Sequence, residues 1–253
     1  MNRLGFIGTG HLAAFLVEGL KRAEAPYEIL VSPRNAAKAA VLARDFGVVV
    51  AADNQAVVDQ SDLVVVSVLP QDAASVLRQL SFRSGQVALS VMAGVSHGAF
   101  MTLTSPATAV ISMMPGIANV YNVGPSALFP ENKVAADVLS KFGPAHNYAT
   151  EAEFTTASVM GAFSGMSVLM MRDAAAWFAA NGIGMDDARR LVAETLRGNA
   201  HTLLESKLTF DAIVRGVVTP GGITELGRST LDAGGSWADA LDAVLKRVRF
   251  NPS

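Results

Sequence analysis

Cysteine is absent from the 253 residues, which excludes disulfides, thiolate nucleophiles and cysteine-ligated metals. Histidine is scarce: His11, His97, His146 and His201 lie far apart with no paired ligand spacing, so no metal site is expected. Charge is also short. Only 17% of residues are charged, against about 25% in ordinary soluble chains. The 20 Lys and Arg against 22 Asp and Glu leave a net charge of −2. Phosphate neutralisation needs a basic face, so this balance argues against a nucleic-acid platform. No basic leader with a long apolar run stands before the first glycines, and the expected location is cytoplasmic. What is plentiful is apolar residue, 51% of the chain. That is enough to offset ordering entropy and to build one large domain or two modest ones. The shortage of charge leaves a choice between a membrane protein and a protein that hides surface in an oligomer.

From residue 4 short apolar runs alternate with helical stretches. Strands are expected over Leu4–Ile7, Tyr27–Val31, Val48–Val50, Leu63–Leu69, Val87–Met92 and Ala109–Met113, with helices over His11–Glu24 and Asn35–Phe46. The run Leu63–Leu69 is β-branched, nearly uninterrupted and stopped by Pro70, as suits a central parallel strand. The alternation implies right-handed βαβ units, an α/β Rossmann-like doubly wound parallel sheet. After about Thr150 no strand is expected. Helices are read over Glu151–Asn181, Met185–Ser206, Thr209–Arg215, Gly222–Ala233 and Trp237–Val248. Two domains follow, residues 1–150 and an all-α part over residues 151–253. Phe154–Met171 carries no charge, yet Thr155, Thr156, Ser158, Gly161, Ser164, Gly165 and Ser167 dilute it and no aromatic or basic anchors flank it. It reads as a buried helix packed between other helices through Ala157, Gly161 and Gly165, not as a membrane span.

Gly5-Phe6-Ile7-Gly8-Thr9-Gly10-His11-Leu12-Ala13 is strand, glycine turn and helix in order. Gly8, Gly10 and Ala13 form a G-x-G-x-x-A fingerprint for a dinucleotide: a tight turn, close approach to the pyrophosphate, and tight packing of helix on sheet. His11 and Leu12 open that helix beside the phosphates. NAD-binding units usually place an acid at the end of the second strand for the ribose 2′-hydroxyl. Here stands Val31-Ser32-Pro33-Arg34-Asn35. A hydroxyl and a guanidinium suit a 2′-phosphate, so the expected cofactor is NADP(H) in preference to NAD(H). Ser32 and Asn35 also suit capping of the next helix.

These motifs, and others further along, resemble the pyrroline-5-carboxylate reductase family over nearly the whole chain. The opening Gly5–Gly10 is similar to the family's. Asn54 stands where the family contacts the adenosine part of NADPH. Ser67-Val68-Leu69-Pro70-Gln71 resembles the family's Ala-Val-Lys-Pro-Gln beside the nicotinamide ribose. Ser90-Val91-Met92-Ala93-Gly94-Val95 is similar to its Ser-Ile-Met-Ala-Gly-Ile. Val218-Thr219-Pro220-Gly221-Gly222-Ile223-Thr224 resembles its Thr-Ser-Pro-Gly-Gly-Thr-Thr. The resemblance implies NADPH-dependent reduction of 1-pyrroline-5-carboxylate to proline, within amino-acid biosynthesis. It assigns Val68, Leu69, Pro70, Met92, Ala93 and Gly94 to the cofactor, and Met114 and Pro115 to the substrate wall. The amides of Gly221 and Gly222 take the substrate carboxylate, and Thr224 bonds the ring nitrogen as the catalytic side chain. It also implies a helical dimerisation domain and a homodimer or larger homo-oligomer.

Read without the family, Thr-Pro-Gly-Gly before a helix is either an anion-receiving turn or an ordinary connection. The departures fall on substrate motifs. The family's Met-Pro-Asn-Thr-Pro is Met114-Pro115-Gly116-Ile117-Ala118, its Ser-Gly-Ser-Gly-Pro-Ala-Tyr is replaced around Val159–Ser164, and its Lys is Leu69. Two alternatives remain open on the sequence: a related imine or β-hydroxyacid reductase with another substrate, and an NADP(H)-binding sensor without turnover. Gly165–Met170 holds no Lys of the kind a β-hydroxyacid dehydrogenase uses. His97, the cluster of methionines, and Lys246, Arg247 and Arg249 read as loop, packing and solvated helix face.

Overall fold

Every residue of β1 (Arg3–Ile7) after Arg3 is buried, as is all of β4 (Leu63–Val66). Such strands need helices on both faces. The computed structural model describes residues 3–249. It interleaves the two strands with α1 (His11–Arg22), β2 (Glu28–Val31), α2 (Ala36–Phe46), β3 (Val49–Val50) and α3 (Asn54–Gln60). Then come α4 (Pro70–Leu77), β5 (Val87–Ser90), α5 (His97–Thr104), β6 (Thr108–Met113), α6 (Ile117–Val120), β7 (Ser126–Phe129), α7 (Lys133–Leu139) and β8 (Ala145–Asn147). The sheet order is β3-β2-β1-β4-β5-β6-β7-β8. The order reverses between β1 and β4, where a doubly wound sheet opens a crevice at its carboxyl edge.

One side of the sheet buries Leu4, Phe6, Leu16, Val17, Leu20 and Phe142, and the other Ile7, Val64, Val66, Phe100, Ile111 and Phe154. Alternation along β1 sends Leu4 and Phe6 one way and Ile7 the other. Gly19 lets α1 lie close to its neighbours: a Cβ there would stand 2.7 Å from the Asn119 carbonyl oxygen and 3.0 Å from Phe142 Cδ1.

The sheet departs from the expected all-parallel pattern at its far edge. β7 pairs antiparallel with β6, and β8 pairs parallel with β7. The link from β6 to β7 holds only the four-residue α6, too little helix for a parallel crossover. Four strands are shorter than expected: β2 and β3 begin one residue late, at Glu28 and Val49, and β4 and β5 end early. β4 stops at Val66 and β5 at Ser90, and the residues after them turn across the carboxyl edge, with Pro70 opening α4.

Among the described residues the first compact unit runs to residue 165 and the second from residue 166 to residue 249. α8 (Glu151–Ala157) belongs to the first, where Phe154 enters the core. The single helix expected over Glu151–Asn181 is two, α8 and α9 (Met160–Ala180). Ser158 Oγ donates to the Phe154 carbonyl at 2.8 Å, and Val159 N–H turns back to Thr156 O at 3.2 Å. These local bonds tighten the chain and break the α-helical ladder.

The second unit holds most of α9 and then α10 (Met185–Glu205), α11 (Phe210–Val217), α12 (Ile223–Asp232) and α13 (Trp237–Val248). Its buried centre is small: Ala175, Ala188 and Val192, with Phe178 and Leu196 against them. Trp177 Nε1 donates to Asp242 Oδ1 at 2.8 Å, tying α9 to α13. The expectation of a buried α9 fails within one chain. Ala175 is its only buried residue, and a Cβ at Gly165 would meet nothing within 4 Å. By length and composition alone Glu151–Ala180 could cross a membrane: an 18-residue stretch within it has a mean hydropathy of 1.4, and 6% of that stretch is buried.

Candidate functional site

Four βα turns and the end of β6 surround a cleft of about 980 Å³ at the carboxyl edge of the sheet. Its floor is the first turn. Gly8 has φ +99, and a Cβ there would meet the Ser67 carbonyl oxygen, so only glycine fits. Gly10 is the N-cap of α1. No side chain caps it and no acid stands in the first turn, leaving the helix N–H groups open to an anion. A Cβ on Gly10 would meet nothing within 4 Å, which keeps its side toward the cleft clear. Ala13 is fully buried where α1 meets the sheet.

Of the expected cofactor residues, Gly8, Gly10, His11, Leu12, Arg34, Asn35, Val68, Leu69, Pro70, Met92 and Ala93 line this one cleft. Met114 and Pro115, expected on the substrate side, line it too. Three expected residues stand elsewhere. Ser32 is 1% exposed, and its Oγ accepts the Gly8 N–H at 3.0 Å. It therefore braces the glycine turn and presents no hydroxyl to the cleft. Gly94 lies past the cleft lining in a turn with φ +75. Asn54 is the first residue of α3, whose N-cap is Asp53, and it lines a smaller hollow of about 450 Å³ with Gln55, Ser75 and Gln79. Arg34 lines both spaces.

Several lining residues escaped the sequence reading. Lys38 and Asp72 add a cation and an anion beside Arg34, and Phe15 and Ile117 add apolar wall. Asn35 Oδ1 accepts the Lys38 N–H at 3.1 Å, so the cap of α2 sets Lys38 one turn beyond Arg34. That cap was legible in the residues; that the side chain faces the cleft was not. Leu69 and Ile117 are 60% and 59% exposed, so apolar groups stand where the resemblance has a lysine and an asparagine motif. Gly116 takes φ +87. Its N–H donates to the buried Asn119 Oδ1 at 3.0 Å, while Asn119 Nδ2 donates to the Gly124 carbonyl at 2.9 Å.

In the second unit, Gly221, Gly222, Glu225, Leu226, Ser229 and Arg247 line a hollow of about 290 Å³. The Gly221 N–H donates to Glu225 Oε2 at 2.7 Å. A carboxylate thus already sits on the turn, showing that its amide geometry accepts one. Arg247, expected on a solvated face, belongs to this hollow. Thr224 is exposed and outside it. His97 is structural: its Nε2 is 3.1 Å from the Ala109 carbonyl and its ring meets Phe129 edge-on. Among the described residues no His, Asp and Glu group has metal-binding geometry.

Residues 3–94 match the family described as "NADP oxidoreductase coenzyme F420-dependent", and residues 151–250 match "Pyrroline-5-carboxylate reductase dimerisation". The chain is 28% identical to a pyrroline-5-carboxylate reductase of Pseudomonas aeruginosa, over 97% of this chain and 95% of that protein. It is 27% identical to one of Methanosarcina acetivorans, over 96% and 94%. Among solved structures, 1-pyrroline-5-carboxylate reductase of Streptococcus pyogenes superposes with a TM-score of 0.82 at 24% identity, covering 96% of this chain and 95% of that one. Plasmodium falciparum pyrroline carboxylate reductase with NADP bound superposes with a TM-score of 0.81 at 19% identity, covering 97% and 95%.

Proposed function

We propose that the chain is a member of the pyrroline-5-carboxylate reductase family and uses NADPH to reduce the C=N bond of a small cyclic imine carboxylate. The first candidate is 1-pyrroline-5-carboxylate, giving proline in the cytoplasm. The observation that carries this reading is the 980 Å³ cleft around the Gly8 turn and the uncapped start of α1.

NADPH, when bound, supplies the hydride. The chain's part is position and electrostatics. The first N–H groups of α1 hold the pyrophosphate, and Arg34 and Lys38 face the 2′-phosphate. Leu12, Met114, Leu69 and Ile117 keep water from the reacting end. The Gly221 and Gly222 amides take the substrate carboxylate, which must replace Glu225 on the Gly221 N–H and the Thr219 carbonyl on the Gly222 N–H. The Thr224 hydroxyl oxygen accepts the N–H of the protonated ring nitrogen. A protonated imine is already electrophilic, so anchoring and proximity supply most of the rate without a dedicated general acid.

The test is NADPH oxidation with pyrroline-5-carboxylate and a panel of other cyclic imines. Turnover is expected in the wild type. Arg34→Ala should raise KM for NADPH about tenfold, as loss of a charge-assisted hydrogen bond does. Thr224→Val should lower kcat while leaving NADPH affinity in place. No turnover with any imine overturns the reading.

A further inference from the structure

Three charged side chains line the cleft from three elements: Arg34 after β2, Lys38 in the first turn of α2, and Asp72 in the first turn of α4. Arg34 Nη1 stands 3.9 Å from Asp72 Oδ2, with the side chains 68% and 39% exposed. A pair that long and that wet contributes little to stability. Both partners remain available to a ligand in the cleft they line. The end of β2 offers no acid to a ribose 2′-hydroxyl, since Val31-Ser32-Pro33-Arg34-Asn35 runs from strand to cap without one. The start of α4 does. Asp72 sits near a helix N-terminus that no side chain caps, where the peptide dipoles favour a negative charge.

Resting on the reading of this cleft as a nicotinamide dinucleotide site, the geometry points to Asp72 as the residue that balances NADPH against NADH. It supplies from the α4 wall the carboxylate that β2 lacks. A 2′-phosphate draws on Arg34 and Lys38, but to reach Arg34 it must separate the guanidinium from Asp72. It then lies beside a like charge. A 2′-hydroxyl carries no charge and donates a hydrogen bond to the same carboxylate, leaving the Arg34–Asp72 pair in place. One side chain therefore opposes the phosphorylated cofactor and assists the other. The protein accepts NADH more readily than its two cations alone imply.

The experiment measures dissociation constants of NADPH and NADH for the full chain and for Asp72→Asn and Asp72→Ser. Fluorescence titration at low salt and at high salt gives the constants, and thermal unfolding of each variant checks the fold. Both variants should bind NADPH about two- to fivefold more tightly and NADH more weakly, the range of a partly exposed charge interaction. The gain for NADPH should shrink in high salt. An equal shift for both cofactors, or none, overturns the role of Asp72 while leaving the cleft a dinucleotide site. A wild type that binds neither dinucleotide overturns the reading of the cleft itself.

Discussion

Ser32 is the residue on which the phosphate turn leans. Gly8 holds a positive φ that only glycine tolerates, and its N–H is satisfied by a hydroxyl that is itself 1% exposed. Ser32→Ala leaves that donor without its acceptor in a part-buried site, at a cost of about 1–3 kcal/mol. The expected result is a lower urea midpoint together with weaker NADPH binding, read by unfolding and titration on the same preparation. Unchanged values for both would reduce Ser32 to a space-filler. At this scale the fingerprint glycines were legible, because a positive φ and a close approach restrict the side chain outright. The part played by Ser32 was not. A buried hydroxyl and a cofactor-facing hydroxyl look alike in sequence, and only the position of Gly8 N–H in space tells them apart. Lys38 and Asp72 were missed for a related reason. They reach the cleft from the first turns of two helices that the chain separates by more than thirty residues.

Among the elements, the helices declare their starts. α8 begins with a reciprocal cap between Thr150 and Glu153, and α13 with one between Ser236 and Asp239. Hydrogen bonds from the Ser236 side chain and then its backbone hold the Asp239 carboxyl below its ordinary value. A carboxyl depressed in the folded state stabilises above the unfolded value, about 3.9, and that stabilisation is lost as pH falls through the folded one. α13 should therefore loosen in acid below about pH 4. Ser236→Ala should move the Asp239 titration, followed by carboxyl NMR, back toward the ordinary value. A titration that stays put in the variant would assign the shift to another cause. The strands of the far edge are the opposite case. β7 and β8 are four and three residues long. They carry too little pattern to announce themselves, and form because β6 offers an edge to β7 and β7 in turn offers one to β8. The break between α8 and α9 shows in the Val159 and Gly161 N–H groups turning back three residues to the Thr156 and Ser158 carbonyls, a choice that an uncharged run of residues does not reveal.

For the whole molecule, the shortage of charge lies in the first unit, where residues 1–165 hold only 22 charged residues, whereas the second unit is marked by exposed apolar surface. In the second unit α11 and α12 bury no residue at all, and Leu169, Leu204, Phe210, Val217 and Trp237 stand exposed in the single chain. Burying a side chain of this size is worth about 1.5–3 kcal/mol, so a face of them strongly favours a partner. The match of residues 151–250 to a dimerisation family identifies self-association as that partner. Sedimentation at micromolar concentration should give a dimer or a larger closed oligomer. Leu169→Glu should shift the equilibrium toward monomer, and a wild type that sediments as a folded monomer would contradict the assignment.

By itself the sequence determined the succession of strands and helices, the glycine turn and the change of character near residue 150. Each rests on local physics: periodicity, backbone freedom and capping act between residues a few positions apart. Tertiary structure alone decided which side chains share the cleft, that Ser32 faces Gly8 instead of the cleft, that Arg34 meets Asp72, and that α9 lies uncovered in a single chain. Those outcomes depend on distances between residues remote in sequence, and no short-range pattern encodes them.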